Sequence, residues 1–250
     1  MAGRPGGRDA LELRRVFIDF GGVTQSAGSA YMEMDHTKVV CAVYGPHASR
    51  RMDTAFSEEG QLRCDVRFAP FASKEFGAGN GFSDAQSLKE KELSAMLKET
   101  LEGSIHLQVL TKSVVDVYVV ILQVDGGELG AAVTCASLAL ADAGIELVDL
   151  VTACSVSVQK QSQNTCLLLD PTLAEEQSES GNIMVAVMPS SQEVMQWRQT
   201  GRMGGKDTVT ALELCLDGCA SVHAMMRAAL LRRAKLPPVT GAVTYAAASK

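Results

Sequence analysis

Between Gln61 and Ala69 apolar and polar positions alternate without a break: Leu62, Cys64, Val66 and Phe68 point one way, Arg63, Asp65 and Arg67 the other. Period two marks a half-buried strand. Earlier runs predict strands over Arg15 to Phe20, Ser29 to Met34 and Thr37 to Tyr44, with Asp35-His36 turning between the last two and Gly45-Pro46 ending the meander. A glycine-rich loop, Phe76 to Phe82, leads into Ser83-Asp84-Ala85-Gln86, which has the spacing of a capping box. Leu93, Met96, Leu97, Thr100, Leu101 and Ile105 then fall on one helical stripe.

The stretch from Val114 to Leu150 differs in kind. A run whose only charge is Asp116 meets Asp125-Gly126-Gly127 and continues through small residues, predicting a buried strand, a glycine turn and a buried helix C-capped by Gly144. Four more strands are predicted over Val151 to Val158, Thr165 to Leu169, Asn182 to Met188 and Glu193 to Trp197. Behind a cap at Asp207, Val209, Leu212, Leu216, Cys219, Val222, Met226 and Leu230 keep helical spacing, and Arg227, Arg232, Arg233 and Lys235 close that helix. This order predicts an α+β fold with helices packed on one face of mixed β-sheets. The expected divisions are a flexible arm at 1–13, lobes at 14–150 and 151–236, and a flexible tail at 237–250.

Composition narrows the function. The net charge of −6, from 23 basic and 29 acidic residues, argues against a stand-alone nucleic-acid binder, and 5% aromatic residues argue against base stacking as the main mode of RNA contact. Seven cysteines, odd in number and without a CxxC pair, read as reduced core thiols, including Cys215 and Cys219 one helical turn apart near His223. No metal and no cofactor is expected. No apolar run reaches the roughly 18 uncharged residues of a membrane span and the N-terminus lacks a signal-peptide core, so a soluble protein of cytosol or nucleus is expected.

Three segments carry more specific information: GGVTQSAGSAYMEMDHTKVVCAVYGP at 21–46, LQVDGGELGAAVTCASLALADAGI at 122–145 and LLLDPTLAEEQ at 167–177. In this order and spacing they resemble the RNase PH family, whose members trim RNA from its 3′ end by phosphorolysis. Ala-Asp-Ala-Gly-Ile at 141–145 and Leu-Leu-Asp-Pro-Thr at 168–172 resemble ring subunits of the eukaryotic RNA exosome. The resemblance covers roughly residues 4–235. It implies an RNase PH-like α+β fold of two unequal lobes, a place in a ring of RNase PH-like subunits beside cap subunits and an associated ribonuclease, RNA as partner, and residence in nucleus, nucleolus and cytoplasm.

The resemblance also tests for chemistry. Active members carry Thr-Arg after the Asp-Gly-Gly turn, where this chain has Glu128-Leu129; a glutamate there occupies the positive end of the helix dipole and repels a phosphate. An Arg-Arg pair of active members becomes Leu88-Lys89, which lacks the arginine fork, and no arginine occurs between Arg67 and Arg198. Asp170 and Glu176 match the acidic pair of active members. Read from the residues alone, Asp170 caps the turn before Pro171 and Glu175-Glu176 form a solvated face. The expectation is a non-catalytic subunit that helps to thread RNA for 3′-to-5′ decay and processing; the alternative is an active phosphorolytic exoribonuclease. Candidate RNA contacts are Arg50, Arg51, Arg63, Arg67, Lys89 and Lys91, each equally readable as a surface cation, with Arg63 and Arg67 also able to form an intersubunit ion pair.

Overall fold

The computed structural model describes Arg4 and residues 7–48, 59–72, 84–161 and 164–235. In chain order the elements are β1 (Val16–Phe20), β2 (Gly28–Met34), β3 (Thr37–Ala48), β4 (Gln61–Phe68), α1 (Asp84–Glu102), β5 (Ser113–Gln123), α2 (Glu128–Asp142), β6 (Thr152–Gln161), β7 (Asn164–Leu169), α3 (Leu173–Gln177), β8 (Gly181–Met188), β9 (Glu193–Gly201) and α4 (Gly205–Lys235). Ser83, Phe76 to Phe82, Arg50, Arg51 and the tail at 237–250 lie outside the described residues.

The first sheet runs β1-β2-β3-β5-β4 and the second β7-β6-β8-β9. Among the described residues only β4 and β5 pair in parallel, which requires a crossover, and α1 supplies it. The alternation in β4 is realised as Leu62, Val66 and Phe68 buried beneath α1, with Arg63, Asp65 and Arg67 on the opposite face. Helix α2 packs on β2 and β3 and also on β6 and β8, while α4 covers the other side of β6 and β8. The first sheet therefore carries helices on one face, whereas the second is covered on both.

Every residue of α2 from Leu129 to Leu140 is buried. Small side chains make that sandwich possible, and its polar groups are satisfied locally: Thr134 Oγ1 donates to Gly130 O at 2.8 Å, and Ser137 Oγ accepts Val151 N–H at 2.9 Å. Where β2 crosses the end of the helix, a Cβ on Gly28 would lie 2.2 Å from Ala143 N, so only glycine fits. The helix is capped by Ala143, and Gly144, at φ 73°, sits one position later than the sequence pattern indicates. One apolar core joins both sheets through α2, from Met32, Val39 and Ile121 to Ala153, Met184 and Met188, and a smaller one lies under α4.

Four further expectations are corrected. Strand β3 does not stop at Gly45-Pro46; β2 ends its pairing at Val43, but β5 continues beside β3 through a register shift between Tyr44 and His47 that absorbs the proline. Strand β9 extends past Trp197 to Gly201 because β8 pairs with it throughout. Helix α4 begins at Gly205, leaving Asp207 in its first turn rather than at its cap. Of the arm expected to be flexible, the described part is tied down: Arg4 binds Glu175 at 2.8 Å and the carbonyl of Leu169 at 2.9 Å. Cys215 and Cys219 point at the carbonyls of Ile183 and Thr152 inside the core, and α4, although long and apolar enough by composition to span a bilayer, lays its buried residues on β6 and β8.

Candidate functional site

The glycine turn between β5 and α2 is held from three directions. Gly126 and Gly127 adopt φ of 81° and 64°, and a Cβ on Gly126 would lie 2.7 Å from Pro171 O. Arg14, only 2% exposed, donates through Nη1 to Asp125 O at 2.8 Å and through Nη2 to Gly126 O at 3.3 Å. Thr37 Oγ1 adds a bond to Gly126 O at 2.9 Å.

Asp170 completes this knot. Its Oδ1 takes Arg14 Nη2 at 2.5 Å, and its Oδ2 takes Arg14 Nε at 2.9 Å and Arg14 N at 3.1 Å. Both oxygens are committed, so Asp170 is a structural anchor rather than a cap on the turn before Pro171. Nor is Glu175-Glu176 a solvated face. Glu175 is 4% exposed, closes a capping box with Thr172 at 2.8 Å and pairs with Arg4. Burial would raise its pKa, but the hydrogen bonds from Arg4 and Thr172 outweigh that and hold it below the ordinary carboxylate value.

Glu176 turns the other way, toward α2. Its Oε1 accepts Gly127 N–H at 2.9 Å. Burial pushes its pKa up to about 7 against the pull of that hydrogen bond, with Glu128 and Glu179 adding to the rise. It borders a cavity of about 230 Å3 with Lys89, Gly127 to Gly130, Ser155, Glu179, Asn182, Met184, Arg198 and Thr200. The first amides of a helix have no intrahelical partner and attract anions. Here carboxylates claim that ground: Glu128 opens α2 and is bound by Lys89 Nζ at 2.8 Å, the ammonium lying 5.2 Å from the centre of the Phe68 ring.

Of the residues singled out from the sequence, Glu128, Leu129, Lys89 and Glu176 meet at this cavity, and Asp170 lies behind it at the turn. Leu88 does not; it is 69% exposed on the outside of α1. Lys91 is also exposed. Arg67 pairs with Asp65 at 3.1 Å along its own strand, and Arg63 and Arg67 stand on the sheet face away from α1, so these cations and Lys89 form no single patch. Sequence reasoning missed Arg14, Glu179, Asn182 and Arg198. Arg198 alone had a visible signal, as the arginine that ends the long arginine-free stretch; in the cavity it is partly engaged by Glu92 at 3.3 Å. Among the described residues no group of three His, Cys, Asp or Glu side chains is placed to hold a metal ion.

A family model described as the 3′ exoribonuclease family, domain 1, matches residues 12–146, more than half of the chain. The chain belongs to the RNase PH family. Its similarity to curated relatives extends well beyond the matched region. It is 38% identical over 231 residues to the Exosome complex component RRP41-like of Arabidopsis thaliana, covering 92% of this chain and 85% of that one. It is 35% identical over 243 residues to the Exosome complex component MTR3 of Homo sapiens, covering 92% and 87%. Among solved structures, rice (Oryza sativa) Rrp46 superposes with a TM-score of 0.76 over 90% of this chain and 99% of that one; at 24% identity this likeness supports the RNase PH fold.

Proposed function

We propose that this RNase PH protein is a non-catalytic ring subunit of an RNA exosome, supporting 3′-to-5′ processing and decay of rRNA, mRNA and other RNAs by helping to thread RNA to a separate nuclease. The observation that carries this reading is the head of α2. A phosphate brought there as nucleophile meets Glu176 on the Gly127 amide and the Glu128–Lys89 pair at the first helical residue. Asp170 has both oxygens bound by Arg14 and none free for a reacting group. Relatives named as exosome components, at 35–38% identity over nine-tenths of the chain, support assembly with other RNase PH-like ring subunits, cap subunits and an associated ribonuclease. Nucleus, nucleolus and cytoplasm belong to the same proposal. RNA contact falls to scattered cations, Arg50 and Arg51 among them, acting beside those of neighbouring subunits.

Affinity purification followed by a phosphorolysis assay tests this. Expected are co-purifying RNase PH-like chains and no phosphate-dependent release of nucleoside diphosphates by the isolated subunit. Release abolished by Glu176→Gln would overturn the proposal. It would favour an active phosphorolytic exoribonuclease, a reading supported by one observation: Glu176, with a pKa of about 7, shares its cavity with Lys89 and Arg198.

A further inference from the structure

A second cavity, of about 620 Å3, opens between residues 7–15, the Asp35-His36 turn and the start of α3. Beside it three guanidiniums share two carboxylates. Arg4 is engaged by Glu175 and Arg14 by Asp170. Arg8 lines the cavity and feels all four of these charges, yet both of its terminal nitrogens are buried without a hydrogen-bond partner. Burial, and then Arg4, draw its pKa below the ordinary value. Leaving a charged fork without acceptors is costly, so the fold holds an unfilled demand for one anion. Thr172 lines the same cavity; its hydroxyl oxygen faces the Glu175 amide in the capping box of α3, and its proton is donated to no acceptor.

We propose that Arg8 and Thr172 form a binding site for a single carboxylate group. A planar guanidinium with two open N–H groups matches the two oxygens of a carboxylate, and the threonine hydroxyl adds a third donor. The rim selects against polyanions. Besides Arg15 and His36 the lining carries Glu12, Asp35 and Asp125, whose repulsion grows with the charge of the anion and so disfavours a phosphate dianion or an RNA backbone more than a single carboxylate. Those acids leave Arg8 free: Glu12 accepts from Asp9 N at 3.3 Å and Asp125 from Leu173 N at 3.4 Å.

The test follows the backbone amides of Arg8 and Leu173 by NMR in the full chain, titrated with acetate and, separately, with inorganic phosphate and a short single-stranded oligoribonucleotide. A saturable acetate shift is expected, weakened at least tenfold in Arg8→Lys, which keeps the charge but loses the fork, and several-fold in Thr172→Val. Retention of the wild-type amide spectrum elsewhere shows that both variants remain folded. The proposal is overturned by the lack of an acetate response, by an undiminished response in Arg8→Lys, or by displacement of acetate at lower concentrations of phosphate or RNA.

Discussion

Arg14 and Asp170, 156 positions apart, form one bidentate ion pair with almost no exposure to solvent, 0% for the arginine side chain and 3% for the aspartate. The same guanidinium holds the carbonyls of Asp125 and Gly126, so the pair fixes the glycine turn at the head of α2 against the strand end before α3. In this chain the acid at position 170 serves as an anchor for the fold.

Breaking that pair from one side leaves a buried, uncompensated charge, which typically costs 3–5 kcal/mol. Asp170→Ala is expected to lower the unfolding free energy by about that amount. Arg14→Met with Asp170→Leu should cost less than the sum of the two single changes, because no charge is stranded. Urea unfolding of the wild type, Arg14→Met, Asp170→Leu and the double variant measures the coupling; additive losses would contradict the pairing.

Glu176 gives stability an unusual pH dependence. Its folded pKa of about 7 lies above the ordinary 4.5, so the folded state binds more protons than the unfolded state between those values. The associated stability is complete below pH 4.5 and is lost as the pH rises through 7. Glu176→Gln removes the ionisable group and can still accept from Gly127 N–H. The variant is expected to match the wild type near pH 4.5 and to be more stable near pH 8 by on the order of 2 kcal/mol. A constant difference across that range would rule the shift out.

The alternation of β4, the small-residue helix α2 and the glycine turn were legible because local spacing decides them. What was not legible depended on tertiary pairing. Gly45-Pro46 normally ends a strand, and only β5, running on beside it, carries β3 to Ala48. Glu175 and Glu176 sit in a polar run that looks solvated, and only Arg4, from the other end of the chain, and the Gly127 amide turn them inward. The arginine-free stretch marked Arg198, but its place in the cavity follows from the β8–β9 pairing. The place of Glu128 at the opening of α2 could be read directly, because a helix N-terminus and the charge placed on it are neighbours in sequence.

The cysteines should behave as core residues. Burial raises the thiols of Cys41, Cys135, Cys154, Cys215 and Cys219, and brings half-buried Cys64 to about 12. Brief maleimide treatment of the native chain near pH 7.5 should therefore modify Cys166 alone, with all seven reacting in denaturant. Intact-mass spectrometry counts the adducts; rapid native labelling of Cys215 or Cys219 would show that α4 does not stay docked.

On the proposed reading the carboxylates at the head of α2 keep anions away, and removing them should reverse that. Two acidic groups stand at the amides where a phosphate would dock, Glu128 held by Lys89 and Glu176 by Gly127 N–H. Like charges in a partly desolvated pocket interact far more strongly than in water, and each 1.4 kcal/mol of repulsion removed is worth a factor of ten in affinity. Glu128→Thr combined with Glu176→Gln removes both charges from the head of α2 and releases Lys89, leaving Glu179 as the remaining acid of the cavity. Inorganic phosphate should then bind at least tenfold more tightly than to the wild type, perturbing the amide resonances of Gly127 and Leu129. Phosphorolysis is still not expected, since Arg14 continues to bind both oxygens of Asp170. Unchanged phosphate affinity in the double variant would mean that Leu129 and Leu88-Lys89, rather than Glu128 and Glu176, set the character of this site.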